Sequence, residues 1–316
     1  MTFWSRHVSA RPTEAGVAID KGEWIDSARQ GRAVPYKIYR PLDISGGPFP
    51  VVVWSHGLGG SRDGAGFISR YLASYGYVVV HIQHEGTDSG LWEGKPGHPW
   101  DVIRAARIPR KATLQRFRDV PFALCELEKM AAENAALAGV MDLSRLGMSG
   151  HSFGALTTQI MAGQRRGRGA RLYSLHEPKF RAGILYSPVP QRNKKGESAE
   201  TLYGSIKIPL LVMTGTNDDS PLEKSGYEDR LEVFEHSGGP EQHLLILEDG
   251  DHMVYSGSRG QLGKNPKRDI HEEIICVLSL AFWEAYLKGD NAAKHWLSGG
   301  GVDGFLREEA RYTYRP

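Results

Sequence analysis

The chain predicts an α/β architecture in which a mostly parallel sheet of about eight strands is covered by helices on both faces. Three observations point there. Continuous apolar runs such as "FPVVVWSHG", "YVVVHIQ" and "IPLLVMTG" end in glycine-bearing loops, the pattern of strands buried on both faces. Stretches at helical spacing alternate with these runs along the chain. A length of 316 residues, 40% hydrophobic and 24% charged, suits one large core in a globular chain.

Residues 1–20 read as an N-terminal arm, and residues 21–316 as a single α/β domain with loop insertions near 85–110 and 221–241. "GEWIDSARQGRAVPYKIYRP" predicts two short strands around a polar turn, with Val34, Tyr36 and Ile38 alternating on one face. "FPVVVWSHG" is the first central strand. "GFISRYLASYG" follows at helical spacing, with Phe67, Tyr71 and Tyr75 four apart and Gly76 as its stop. "YVVVHIQ" is the next strand. The loop from Glu85 to Pro109, which carries Trp92 and Trp100, reads equally well as a lid or pocket wall and as a packed surface loop. A helix is expected around Phe117 to Leu137, with Pro121 marking a first turn or a kink. "RLGMSG", "AGILYS", "IPLLVMTG" and "HLLILE" complete the strands. A last helix from about Arg268 to Leu287 would bury Ile270, Ile274, Val277, Leu278, Ala281 and Phe282 on one stripe.

Composition narrows the function. Thirty-nine basic against 37 acidic residues leave a formal charge of +2, with no built-in pull toward nucleic acid or another polyanion. The run Arg165 to Arg171 reads as a solvated loop. Cys125 and Cys276 lie far apart, which fits a reducing compartment better than a disulfide framework. No apolar run is long enough to span a membrane, and the N-terminus lacks the apolar core of a secretory signal. A cytoplasmic location is therefore expected, with a secreted protein whose signal has been removed left open.

Chemistry enters at "RLGMSGHSFGALTTQ", Arg145 to Gln159. Gly150 and Gly154 with Ser152 between them could be an ordinary turn in which Ser152 caps the next helix. The stronger reading is a Gly-x-Ser-x-Gly nucleophile elbow, in which a strand turns so sharply into a helix that the serine oxygen is left exposed. The glycines are then required because backbone and helix approach too closely for side chains larger than Gly or Ala. The position of Ser152, between a buried strand and a helix, is the context that motif needs.

A serine hydroxyl attacks only when a base takes its proton, and that base needs an orienting carboxylate. Both should follow later strands. After "IPLLVMTG", the loop "TNDDSP" offers Asp218 and Asp219, and the spacing from Gly215 favours Asp218. After "HLLILE", "DGDHMVYSG" offers His252. His236, His243, His271 and His295 fall in places that suit surface or packing roles, and His151 reads as packing. The expected oxyanion donors are the N–H groups of Phe153, after the nucleophile, and Leu58, in "SHGLGG". Those glycines lack the Gly-Lys-Ser/Thr ending of a phosphate-binding loop. His81 and His84, despite metal-like spacing, read as structural histidines, so neither a metal nor a cofactor is expected.

Together "WSHGLGGSRDGAGFISRYLASYGYVVVHIQHEGTDSG", "GMSGHSFGA", "MTGTNDDSP" and "GDHMVYSG" resemble the dienelactone hydrolase-related and platelet-activating factor acetylhydrolase-like serine esterases of the α/β-hydrolase fold, over roughly Trp24 to Tyr286. The resemblance implies Ser152, Asp218 and His252 as catalytic triad and Leu58 and Phe153 as oxyanion donors. Dienelactone hydrolases carry a cysteine where this chain has Ser152. The expected activity is hydrolysis of a small-molecule carboxylic ester through an acyl-serine intermediate. The alternatives are a thioesterase, peptidase or polyester hydrolase with the same triad, or a non-catalytic binding protein on the same fold.

Overall fold

Val51, Val52, Val53 and Trp54 of strand β3 (Phe49–Ser55) are all buried, since successive side chains of a strand enter the cores on its two opposite faces. The computed structural model describes residues 3–133, 137–191, 194, 196–222, 225–257 and 265–316. Around β3 the sheet has the order β1-β2-β4-β3-β5-β6-β7-β8-β9. Its parallel centre is β4 (Val78–Ile82), β3, β5 (Met141–His151), β6 (Phe180–Tyr186), β7 (Leu210–Asn217) and β8 (Gln242–Asp251). The hairpin of β1 (Val17–Asp26) and β2 (Arg32–Pro41) joins one side antiparallel to β4, and β9 (Ala310–Arg315) closes the other antiparallel to β8.

One face packs on α1 (Gly66–Ser74), α7 (Arg268–Trp283), α8 (Asn291–Ser298) and α9 (Gly301–Leu306). The other packs on α3 (Arg110–Glu133), α4 (Phe153–Met161), α5 (Ala199–Tyr203) and α6 (Leu231–His236). Val52 and Trp54 face the first core, Val51 and Val53 the second. The remaining helix, α2 (Pro99–Ala105), lies in the loop between β4 and α3. Among the described residues no helix is long and apolar enough to cross a membrane.

Several expectations need correction. The described sheet has nine strands, in keeping with the expected count of about eight, and the strand not anticipated is "ARYTYR", which pairs on the β8 edge. β1 begins at Val17, inside the expected arm, and the arm itself docks, with the Trp4 ring 5.1 Å from Trp296 and Phe3 5.5 Å from Phe305. α3 starts at Arg110, which places Pro121 in the helix interior and not its first turn. The expected end of that helix crosses residues 134–136, which lie outside the described residues. Ile270, in the first turn of α7, is 38% exposed, so the buried apolar stripe of that helix begins one turn later, at Ile274.

Candidate active site

Ser152 sits at the turn from β5 into α4 with φ 55° and ψ −115°, backbone geometry that is strained for a residue with a Cβ. It occupies the capping position of α4, yet its side chain makes no capping hydrogen bond, so the cap reading does not account for it. The flanking glycines are stricter than the sequence suggested. A Cβ at Gly154 would lie 1.8 Å from the Ser55 carbonyl oxygen, and one at Gly150 would lie 2.5 Å from the Gly154 carbonyl. Even alanine is excluded at both, because the obstacles are backbone atoms.

Asp218 follows β7 and is fully buried, whereas Asp219 beside it is exposed. His252 follows β8 and is 7% exposed, with its Nδ1 2.7 Å from Asp218 Oδ1. The carboxylate is held from every side: Thr214 Oγ1 donates to Oδ2 at 2.8 Å, and the Ser187 hydroxyl donates to the same oxygen. Burial pushes the Asp218 carboxyl up, but the facing His252, the Arg230 charge and the Ser187 hydroxyl outweigh it and hold the group below its ordinary range. With its proton on Nδ1, the imidazole keeps Nε2 free to accept. His151, expected to pack, also has a defined bond, since its Nε2 lies 2.7 Å from the His252 carbonyl oxygen. Burial, then the neighbouring His252, lowers its pKa to about 3, so the ring is neutral and donates that bond.

Ser152, His252 and Leu58 line one cavity of about 330 Å³. Phe153, at the start of α4, lines an adjoining cavity of about 140 Å³ together with Ser152, Leu58 and His252. The structure thus brings together all five residues singled out in the sequence. Trp92, Pro99, Trp100 and Ile103 also line the larger cavity, which makes the loop after β4 part of its wall. That wall is fastened to the Leu58 loop: Trp92 Nε1 donates to Gly59 O at 2.7 Å and the Gly59 N–H donates to Thr87 O at 2.9 Å.

His81 and His84 take other positions. His81 Nε2 lies 2.6 Å from Ser69 Oγ, with the ring stacked on Trp54. His84 stands between Asp119 Oδ2, 3.0 Å from Nδ1, and Ser55 Oγ, 3.0 Å from Nε2, all fully buried. Arg29 and Arg32 pair with Asp119 at 2.7 and 2.8 Å.

Two buried arginines escaped the sequence reading. Arg230 Nε donates to Asp218 O at 3.0 Å and Nη1 to Pro188 O at 2.8 Å, while Nη2 lies 3.1 Å from Asp218 Oδ1. It therefore ties the loops after β6 and β7 together behind the imidazole. Arg116 on α3 reaches the end of β3. A signal existed for both: each cation shares a helical stripe with buried apolar residues, Arg116 with Val120, Ala123 and Leu127, and Arg230 with Val233 and Phe234.

A family model described as platelet-activating factor acetylhydrolase, isoform II, matches residues 24–92, a stretch that contains the Leu58 loop and Trp92 but ends before Ser152. A platelet-activating factor acetylhydrolase of Cavia porcellus is 24% identical over 297 residues, covering 84% of this chain and 63% of that protein. The chain thus spans somewhat under two thirds of the length of that relative. Its likeness to platelet-activating factor acetylhydrolase-like proteins of the α/β-hydrolase fold agrees with the sheet described above.

Proposed function

We propose, from that likeness and from the geometry at Ser152, that the chain is a serine hydrolase of small carboxylic esters. The observation that carries the reading is one cavity shared by a strained serine and by a histidine whose Nδ1 is bonded to a buried aspartate. His252 Nε2 accepts the Ser152 proton as Oγ attacks the ester carbonyl carbon. Negative charge gathers on the carbonyl oxygen, where the N–H groups of Leu58 and Phe153 stabilise it. The imidazolium, steadied by Asp218, passes its proton to the departing alcohol, and the carbonyl reforms as an acyl-serine. A water deprotonated by His252 then attacks that acyl group, Ser152 recovers its proton, and the acid leaves.

A cavity of about 330 Å³, at the small end of ligand sites, bounded by three tryptophans and an isoleucine, favours short to medium acyl groups over long chains. The acetylhydrolase name of the relative supports the same preference. The free thiols of Cys125 and Cys276 support a cytoplasmic setting.

The test combines hydrolysis of p-nitrophenyl butyrate with labelling by a fluorophosphonate. We expect one phosphonyl group per chain on Ser152 and complete loss of hydrolysis. Ser152→Ala should take no label and lose about 10⁴- to 10⁶-fold in kcat. Hydrolysis that persists after labelling, or a purified Ser152→Ala protein with more than about a tenth of parent turnover, a loss of only ~1.4 kcal/mol, rules the reading out.

A further inference from the structure

Arg116 is fully buried and has no part in the steps just described. Its guanidinium donates from Nε to Thr157 Oγ1 at 2.8 Å, from Nη1 to Thr87 Oγ1 at 3.0 Å, and from Nη2 to Ser55 Oγ at 2.8 Å and to the His56 carbonyl. Its Cζ lies 4.5 Å from the centroid of the Phe153 ring. All four acceptors are neutral. Among the described residues no carboxylate lies within ion-pairing distance of it, and Asp119, one turn further along α3, is occupied by Arg29, Arg32 and His84. Burial lowers the Arg116 pKa to about 9, which leaves it charged at neutral pH. A buried cation that meets only neutral oxygens is costly to keep.

What the contacts share is location. Ser55 and His56 end β3 immediately before the Leu58 loop, and the Thr87 carbonyl receives the Gly59 N–H of that loop at 2.9 Å. Thr157 Oγ1, besides accepting from Arg116, donates to the Phe153 carbonyl at 2.9 Å. One guanidinium therefore touches the supports of both N–H groups assigned to the oxyanion. The chain of contacts reaches the donor itself through His56. That ring accepts the His84 N–H on Nε2 at 3.0 Å and has its Nδ1 2.7 Å from Gly57 O. Burial, then the Arg116 charge, keeps the His56 pKa well below its ordinary value, so a neutral ring donates to Gly57 O. This oxygen belongs to the same peptide unit as the Leu58 N–H, and a bond accepted at the carbonyl polarises the N–H on its other side.

We propose that Arg116 is a positioning residue of the oxyanion hole, clamping the Leu58 loop and the start of α4 into one rigid frame. The inference rests on the hydrolase reading above. It asks Arg116 to act on the transition state through the N–H groups, without touching substrate and without acting on the Asp218–His252 pair.

The test uses Arg116→Lys, which keeps charge but loses the fork, and Thr157→Val, which removes one acceptor and the link to Phe153 at nearly constant shape. Each is measured for kcat and KM with p-nitrophenyl butyrate from pH 6.5 to 9, with a thermal melt as the folding control. We expect kcat to fall about 100-fold in Arg116→Lys and about fivefold in Thr157→Val, with KM within about threefold and the shape of the pH profile retained. A purely structural arginine would lower the melting transition and leave kcat of the folded fraction intact. Folded variants with kcat within about twofold of the parent, or with KM as the parameter that moves, overturn the proposal. Should Arg116→Lys not melt cooperatively, Thr157→Val decides alone by the same criterion. If the parent neither hydrolyses the ester nor takes the fluorophosphonate, the hydrolase reading falls and this inference with it. An active parent with unaffected variants removes Arg116 only.

Discussion

Four donors converge on the Asp218 carboxylate, with His252 and Arg230 on Oδ1 and Ser187 and Thr214 on Oδ2. Such a group cannot be exchanged for an amide without reversing at least one bond, and an amide would also favour the wrong tautomer of the imidazole. Asp218→Asn should therefore lower kcat by about 10⁴-fold, while the exposed Asp219→Asn stays within about twofold of the parent. Turnover of a p-nitrophenyl ester by the two purified variants distinguishes them, and a crippled Asp219→Asn beside an active Asp218→Asn would reverse the assignment. Arg230 acts one step back, on where Asp218 and the Pro188 carbonyl stand. Arg230→Met should cost about 10- to 100-fold in kcat, as expected of a shift on the order of 1 Å in reacting groups. Full activity in a folded Arg230→Met protein would contradict that role. Ser152, Asp218 and His252 were legible in the sequence because each sits in a loop directly after a buried strand, a local pattern. For Arg116 and Arg230 the sequence carried a signal of burial, the apolar stripe each shares, but not of role, because a buried guanidinium takes its meaning from carbonyls and hydroxyls distant along the chain.

The strand-to-helix unit of β5 and α4 tolerates almost no change at its crossing with β3. Gly154→Ala would press a methyl group against the Ser55 carbonyl at 1.8 Å, so we expect a melting transition lowered by about 10 °C or more, or no soluble protein. Gly304 is the contrast, on α9 with nothing within 4 Å of an added methyl group, and Gly304→Ala should be neutral or slightly stabilising. Equal melting temperatures for the two variants would count against a steric role for Gly154. The segment carrying α2 contributes to the cavity lining, since Pro99, Trp100 and Ile103 border the same cavity as Ser152. Trp100→Ala should shift preference toward longer acyl chains by roughly 1 kcal/mol per methylene newly accommodated, measured as kcat/KM over a p-nitrophenyl ester series from acetate to palmitate. An unchanged ranking would show that acyl chains do not run along that wall. The central strands were readable because they are apolar without interruption, and α1 because its aromatic spacing and stop are both present. β9 was not. "ARYTYR" is polar by composition and becomes a strand only because the free edge of β8 offers it a ladder.

At the scale of the whole molecule, the burial of histidine dominates the response to acid. His56, His81, His84, His151 and His243 are all buried. Burial lowers His81, His151 and His243 to about 3 and His84 to about 4, and His56 well below its ordinary value. An unfolded chain protonates these rings near 6.5, so below that pH it binds more protons than the folded one, and folding weakens by about 1.4 kcal/mol per pH unit for each ring. Their contribution is complete above about pH 7 and by pH 5 has fallen by something on the order of 10 kcal/mol, comparable to the whole stability of an ordinary domain. Asp119 adds a later loss. Burial raises its carboxyl, but bonds from Arg32 and His84 prevail and bring it to about 2, so its share disappears only as the pH falls from about 4 toward 2. Tryptophan fluorescence followed against pH should show cooperative unfolding centred near pH 5, and a native spectrum at pH 4 would contradict these burial costs. Asp119, His84 and Ser55 have a last consequence, for anyone who hunts enzymes by template. A search that ranks carboxylate–imidazole pairs by their spacing returns this molecule twice, once at Asp218 and His252, 2.7 Å apart, and once at Asp119 and His84, 3.0 Å apart, the second with the Ser55 hydroxyl 3.0 Å from the ring. The second hit is a decoy: its hydroxyl is fully buried and already accepts from a guanidinium, so no ester can reach it. A useful template must therefore score the path by which a reactant arrives as well as the distances between the atoms that await it.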